Sequence, residues 1–213
     1  YRQFERWVVD SMIRTEMGLF QTNRRSGDTI KSNYVFNGDT LRRIDWSVRI
    51  NQNDEEYRRL YDSLFVKAYV DGNPVKEENN FIYRYEELDV RALSDANQES
   101  EEDIDAMDGS TYRDRFVVEK STKMYPSTLD FQSDYVYSNN ETDAIFRYEH
   151  VAYDDYPVVG ITWDQANAFC HWRTHVMNEF LRSQKEPLLP DFRLPTETEW
   201  EYAARGGLGM SPY

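Results

Sequence analysis

The most constraining feature of this chain is a pair of helix-start signatures set close together in its last third. Thr162-Trp163-Asp164-Gln165 and Thr196-Glu197-Thr198-Glu199 each place a hydroxyl residue three positions before a Gln or Glu. At that spacing the hydroxyl accepts the amide three residues on, and the longer side chain reaches back to the cap amide. Each pattern fixes where a helix begins from contacts only a few residues apart. The first opens an apolar face of Ala166, Phe169, Cys170, Val176, Met177 and Phe180, which predicts a helix to about Ser183. The second opens a short helix through Ala204 that stops at Gly206-Gly207. Ahead of the first, Pro157-Val158-Val159-Gly160-Ile161 reads as a short buried segment, and Trp163, Trp172 and Trp200 read as core anchors.

Earlier in the chain the signals are periodicity and punctuation. Tyr1, Phe4, Trp7, Val8 and Met12 recur at helical spacing, so residues 1 to 17 read as an amphipathic helix ended by Gly18. Phe20 to Asn53 reads as loops with short strands, Tyr34-Val35-Phe36 among them, with turns at Ser26-Gly27 and Asn37-Gly38. Residues 54 to 70 carry a stripe of Tyr57, Leu60, Tyr61, Leu64, Phe65 and Ala68. That stripe predicts a helix, with Asn53 and Glu56 as its cap pair and Asp71-Gly72-Asn73-Pro74 as its stop. Phe81 to Leu93 is expected as a short helix, and Phe116-Val117-Val118 and Tyr135-Val136-Tyr137 as strands.

Charge narrows the partners. The 213 residues hold 25 Lys+Arg against 39 Asp+Glu, a formal net charge of −14, which argues against binding phosphate backbones; no nucleic acid partner is expected. The imbalance is local. Residues 1 to 61 are slightly basic, with Arg24, Arg25, Lys31, Arg42, Arg43 and Arg49 in one stretch. Asp71 to Ser110 instead holds 13 acidic and 3 basic residues, and its portion 94–110 reads as a mobile acidic stretch. The apolar and aromatic content, 39% and 15%, is enough for a core, so bulk disorder is excluded. The single cysteine, Cys170, rules out an intrachain disulfide and a Cys-based zinc site. No apolar run approaches the roughly 18 residues of a membrane span. The chain begins at Tyr1 inside a predicted helix and is expected to be a fragment.

Residues with chemical potential have simpler readings. His171 and His175 are four apart on a helix, a spacing that can share a metal, but no Glu follows His171 and local hydrogen bonding is the expected role. Asp154-Asp155 and the acidic residues from Glu99 to Asp108 lack the spacing of a calcium loop. Glu197, Glu199 and Glu201 could be acid and base groups, yet the start of a helix gives them a sufficient structural reason. Arg193 is expected to tie the preceding loop to carboxylates or carbonyls. No catalytic, cofactor-binding or metal residue is assigned, and no cofactor is expected.

Three strings carry a resemblance: Tyr156-Pro157-Val158-Val159-Gly160-Ile161-Thr162-Trp163, Ala168-Phe169-Cys170-His171-Trp172, and Arg193-Leu194-Pro195-Thr196-Glu197-Thr198-Glu199-Trp200-Glu201-Tyr202-Ala203-Ala204-Arg205-Gly206-Gly207. Together they resemble the formylglycine-generating-enzyme, or sulfatase-modifying factor, superfamily. The resemblance implies an α+β fold, formylglycine-generating-enzyme-like and C-type-lectin-related, with little regular secondary structure. The superfamily includes a copper-dependent oxidase of sulfatase cysteines and noncatalytic descendants. The oxidase uses a cysteine pair late in the domain, beyond the Arg205-Gly206-Gly207 block. Cys170 matches a structural position that pairs with another cysteine in secreted members, and Ala203-Ala204 stands where the second is often found. No catalytic residue therefore carries over.

Residues 1–213 are expected to form part of one such domain, with 18–150 as a family-specific insertion and the C-terminal part of the domain absent. Tyr83-Arg84-Tyr85-Glu86-Glu87-Leu88-Asp89-Val90-Arg91 and Phe169-Cys170-His171-Trp172-Arg173-Thr174 resemble the gliding-motility lipoprotein K family. That resemblance implies a noncatalytic structural subunit of the type IX protein secretion and gliding machinery. It would be lipid-anchored to the periplasmic face of the outer membrane through an N-terminus outside this stretch. It implies as partners a homo-oligomeric ring with the companion N-type periplasmic protein, and other type IX secretion components. The alternatives are an oxidase whose cysteines lie beyond Tyr213, the sister gliding lipoprotein J, or a sugar- or peptide-binding module for which the sequence selects no ligand.

Overall fold

The computed structural model describes residues 1–36, 39–70, 73–77, 80–96, 116–127 and 151–207. The chain divides into two compact units, Arg2–Tyr125 and a second made of Tyr1 with Pro126–Tyr213.

In the first unit, α1 (Arg2–Glu16) forms where the periodicity placed it, and its inward face is Phe4, Val8, Val9 and Ile13. Gly18 ends it at φ +68°, where the Leu19 amide donates to the Arg14 carbonyl at 2.9 Å. Arg14 is buried on the same helix, which its polarity did not suggest. Its Nε bonds Asp10 Oδ2 at 3.0 Å, and its Nη1 donates to the carbonyls of Asp45 at 2.8 Å and Val48 at 2.9 Å. A buried guanidinium is tolerated because these acceptors replace its water.

The stretch after α1 holds an antiparallel pair, β1 (Lys31–Phe36) and β2 (Asp39–Arg42), with isolated bridges Phe20↔Ile44 and Thr22↔Thr29. Next, α2 (Glu55–Phe65) is capped by Asp54, whose carboxylate accepts the Glu55 amide at 3.0 Å. Asn53, the expected cap, instead accepts from Arg58. The helix also stops five residues early. Val66–Val70, rich in β-branched and aromatic residues, is a strand, β3, paired with β4 (Asn73–Lys76).

A second correction falls on Phe81 to Leu93. Ile82–Leu88 is a strand, β5, in unbroken antiparallel register with β6 (Val117–Lys123), from Ile82↔Lys123 to Leu88↔Val117. Phe81, Tyr83 and Tyr85 alternate inward, the period of a half-buried strand. Helix is confined to α3 (Val90–Ala96), whose first turn is held by Asp89 Oδ1 accepting the amides of Arg91 and Ala92, each at 3.0 Å. The three strand pairs form separate two-stranded sheets. The core is largely aromatic: Phe65 and Phe81 rings lie 4.7 Å apart, Phe81 and Tyr125 5.0 Å, and Phe4 meets Tyr83 edge-on at 5.0 Å. Asn37-Gly38, residues 97–110 of the acidic stretch and Tyr135–Tyr137 lie outside the described residues.

In the second unit a 3₁₀ turn (Val151–Tyr153) precedes α4 (Trp163–Gln184) and α5 (Glu197–Arg205). Pro157–Ile161 is not buried as expected: Val158 is 38% exposed, and only its far end is half-covered, where the Gly160 carbonyl accepts the Ser127 amide at 2.7 Å. The buried face of α4 is Gln165, Ala168, Trp172 and Asn178, rotated from the expected one, and Phe180 is 60% exposed. Toward the end of α4 the buried Asn178 carboxamide exchanges two hydrogen bonds with the Leu189 backbone, at 3.2 and 3.0 Å. Of the three tryptophans expected as anchors only Trp172 is buried; Trp163 and Trp200 are 65% and 64% exposed, since no described element covers them.

Candidate functional site

The site is built by two capping boxes and the strap between them. At α4, Thr162 Oγ1 accepts the Gln165 amide at 3.3 Å and the Thr162 amide donates to Gln165 Oε1 at 2.7 Å. At α5, Thr196 Oγ1 accepts the Glu199 amide at 3.3 Å, and the Thr196 amide donates to Glu199 Oε2 at 2.8 Å. The strap leaves α4 through Lys185, which adopts φ +59°. It is pinned at Leu189 by Asn178 and at Phe192, whose amide donates to Thr174 Oγ1 at 2.8 Å. Thr174 in turn donates to the Cys170 carbonyl at 3.0 Å.

Arg193 closes the strap onto α5. Its Nη1 and Nη2 reach Glu199 Oε2 and Oε1 at 2.8 and 2.7 Å, a bidentate fork, and Nη1 also donates to the Leu194 carbonyl at 3.2 Å. The role expected of Arg193 is the one it plays. The Arg193 fork, followed by the Thr196 amide, lowers the Glu199 pKa to about 2. The same hydrogen bond raises that of Arg193. A carboxylate so held stays ionised at neutral pH and is fully engaged, so it offers no proton and no free base. Glu197 lies exposed in the first turn and Glu201 pairs with Arg205 at 2.5 Å, along the helix.

Cys170 is half-buried, and burial pushes its thiol pKa up, away from the thiolate that nucleophilic or metal chemistry needs. His171 and His175 sit half-buried on successive turns of α4. Among the described residues no group of three or more His, Cys, Asp or Glu gathers to hold a metal ion, and no helix is long and apolar enough to cross a membrane. Sequence reasoning found both boxes and the Arg193 link but missed Asn178 and Thr174. The local pattern carried no signal for them, because both lie off the expected apolar face and their strap partners are 11 and 18 residues away.

A family model for the sulfatase-modifying factor enzyme 1-like domain matches residues 70–213. The inactive C-alpha-formylglycine-generating enzyme 2 of Bos taurus is 43% identical over 59 residues, 28% of this chain and 14% of that protein. The formylglycine-generating enzyme of Streptomyces coelicolor is 39% identical over 59 residues, 28% of this chain and 13% of its own. The formylglycine-generating enzyme of Bos taurus is 39% identical over 54 residues, 25% and 10%. The matched part of the chain thus spans a small fraction of each relative's length. No solved structure matches the chain.

Proposed function

Given that the chain belongs to the sulfatase-modifying factor enzyme 1-like domain family, we propose that it is a noncatalytic member, a structural subunit of the type IX protein secretion and gliding machinery. The observation that carries the noncatalytic half is the Arg193–Glu199–Thr196 clasp. In the family block Arg193 and Glu199 are spent on holding the strap to α5, and burial raises the pKa of the one thiol among these 213 residues. The similarity to an inactive relative is compatible with that reading.

The secretion half rests on the likeness of Glu87-Leu88-Asp89-Val90-Arg91 and Cys170-His171-Trp172-Arg173-Thr174 to gliding-motility lipoprotein K. Its expected setting is a ring with the companion N-type protein beneath the outer membrane. Opposite charge gives neighbouring subunits a means of setting register: Arg42 and Arg43 are exposed on one segment, while Asp71 to Ser110 is acidic. The second reading, a formylglycine-generating oxidase, is favoured by the two relatives that bear that name.

One experiment separates them. The full-length protein is purified from membranes, as wild type and as the Arg42→Glu/Arg43→Glu variant, its companions are identified, and aldehyde formation on a cysteine-containing sulfatase peptide is measured with copper present. The proposal expects no aldehyde, co-purifying secretion components, and assembly lost in the variant while the monomer keeps its circular dichroism. Aldehyde formation, or normal rings from the variant, would overturn it.

A further inference from the structure

Between Leu19 and Arg49 the chain ties itself into a hydrogen-bonded platform. The Gln21 amide donates to the Arg43 carbonyl at 2.8 Å, the Arg43 amide to the Ile30 carbonyl at 3.0 Å, and the Ile30 amide to the Gln21 carbonyl at 2.7 Å. This closed triangle joins three passes of the chain through backbone alone. The Asp45 amide, donating to the Leu19 carbonyl at 2.9 Å, extends it. The stretch carries six bases, Arg24, Arg25, Lys31, Arg42, Arg43 and Arg49, against three acids, in a chain whose net charge is −14. All six bases are exposed.

These charges are not engaged. Arg14, Arg59, Arg182, Arg193 and Arg205 each meet a carboxylate at 3.2 Å or less, whereas no ion pair among the described residues involves any of the six. Arg42 lies over the Phe20 ring, 5.3 Å from its centroid, a contact that holds the guanidinium without neutralising it. In the same passes Ile30, Trp46 and Val48 are 36, 41 and 39% exposed. The platform thus presents positive charge together with apolar side chains. The complementary chemistry is written in the same sequence: Ser94 to Ser110 holds seven carboxylates and no base, with Ile104 and Met107 among them. Its carboxylates answer the bases, and its apolar pair answers Ile30, Trp46 and Val48. A polyphosphate would answer the bases but leave those three side chains without a counterpart.

We propose that this platform docks the acidic stretch 94–110 of a second copy of the chain. The proposal rests on the ring reading for its choice of a second copy, while the docking chemistry stands without it. Its test uses the 213-residue chain and a synthetic peptide of residues 94–110, followed by fluorescence anisotropy and sedimentation. Affinity of the order of 100 μM is expected at about 0.05 M salt, weakened about tenfold or more at about 0.5 M. Arg24→Glu/Arg25→Glu should abolish binding, and the same charge change placed at Arg182→Glu/Lys185→Glu should not. A peptide carrying Ile104→Ser and Met107→Ser should bind several-fold more weakly. A chain lacking residues 97–110 supplies only the platform, and the Arg24→Glu/Arg25→Glu chain supplies only the acidic stretch. Each alone should stay monomeric with wild-type circular dichroism, and a mixture of the two should associate. No peptide binding at about 1 mM, binding indifferent to Arg24→Glu/Arg25→Glu, a mixture that stays monomeric, or tighter binding to polyphosphate or phosphatidylglycerol vesicles than to the peptide would each overturn the proposal. Failure of the secretion reading shows differently, as missing companions in the full-length purification with peptide binding intact.

Discussion

The two units are specified in opposite ways. In Arg2–Tyr125 six side chains, Phe4, Val8, Ile13, Phe65, Phe81 and Met124, are almost entirely out of water, yet only Asp54 and Asp89 mark helix starts by capping. In Pro126–Tyr213 the helix starts are capped reciprocally, while the buried apolar side chains among its described residues are Ala168 and Trp172, and α5 buries none. One region is held by what its side chains hide, the other by what its backbone amides find nearby. A family signature can therefore be dense in local hydrogen bonds and poor in burial, and its legibility in sequence is no measure of how much stability it supplies.

The largest expected effect tests the buried side of that contrast. Phe81 touches Phe65 and Tyr125 at the centre of the aromatic cluster, so Phe81→Ala should cost about 3–5 kcal/mol, read from urea unfolding. A loss under about 1 kcal/mol would mean that the cluster relaxes around the cavity and that the contrast is overstated.

A smaller effect, confined to one helix, tests the other side. The folded pKa of Glu199 is depressed to about 2 from an ordinary glutamate value near 4.5, so the folded state binds its proton less readily than the unfolded one. The stabilisation from its ionised form is present above the unfolded value and is lost as pH falls through the folded one. Protection of the α5 amides against hydrogen exchange should hold at neutral pH and decline between about 4.5 and 2, and a carboxyl NMR titration of Glu199 should report the lower value. A Glu199 midpoint near that of an ordinary glutamate would break the clasp as described.

The smallest effect concerns exposure. Trp200→Ala should change the stability of this chain by no more than about 0.5 kcal/mol in thermal melts, because the side chain is 64% exposed. A loss of several kcal/mol would show that Trp200 is covered in solution.

These regions also differ in how much a reader of the sequence can foresee. The cap residues Thr162, Gln165, Thr196 and Glu199 were legible because each box closes over three residues, as was the Arg193 link six residues from its partner. What misled was what depends on distant chain. Residues 66 to 70 continue the apolar stripe of α2, and only the pairing with β4 turns them into strand. The alternation of Phe81, Tyr83 and Tyr85 was in plain view but acquires its meaning from β6. Arg14 reads as a polar-face residue because the Asp45 and Val48 carbonyls that accept it lie 31 and 34 positions away. Trp163 and Trp200 were read as core from residue type alone, and burial is decided by what covers a side chain.

The hairpin of β5 and β6 has a consequence for how such a chain can change over generations. Its register joins Leu88 directly to Val117, so the most acidic part of the sequence is strung between two residues the sheet already holds together. Once the ends of a connection are fixed, doubling its length adds only about 0.6 kcal/mol of closure entropy. Residues added or removed there leave the inward alternation of Phe81, Tyr83 and Tyr85 untouched. Related chains should accordingly differ most in length between these two strands and least within them, and tags or reporter domains inserted there should be tolerated.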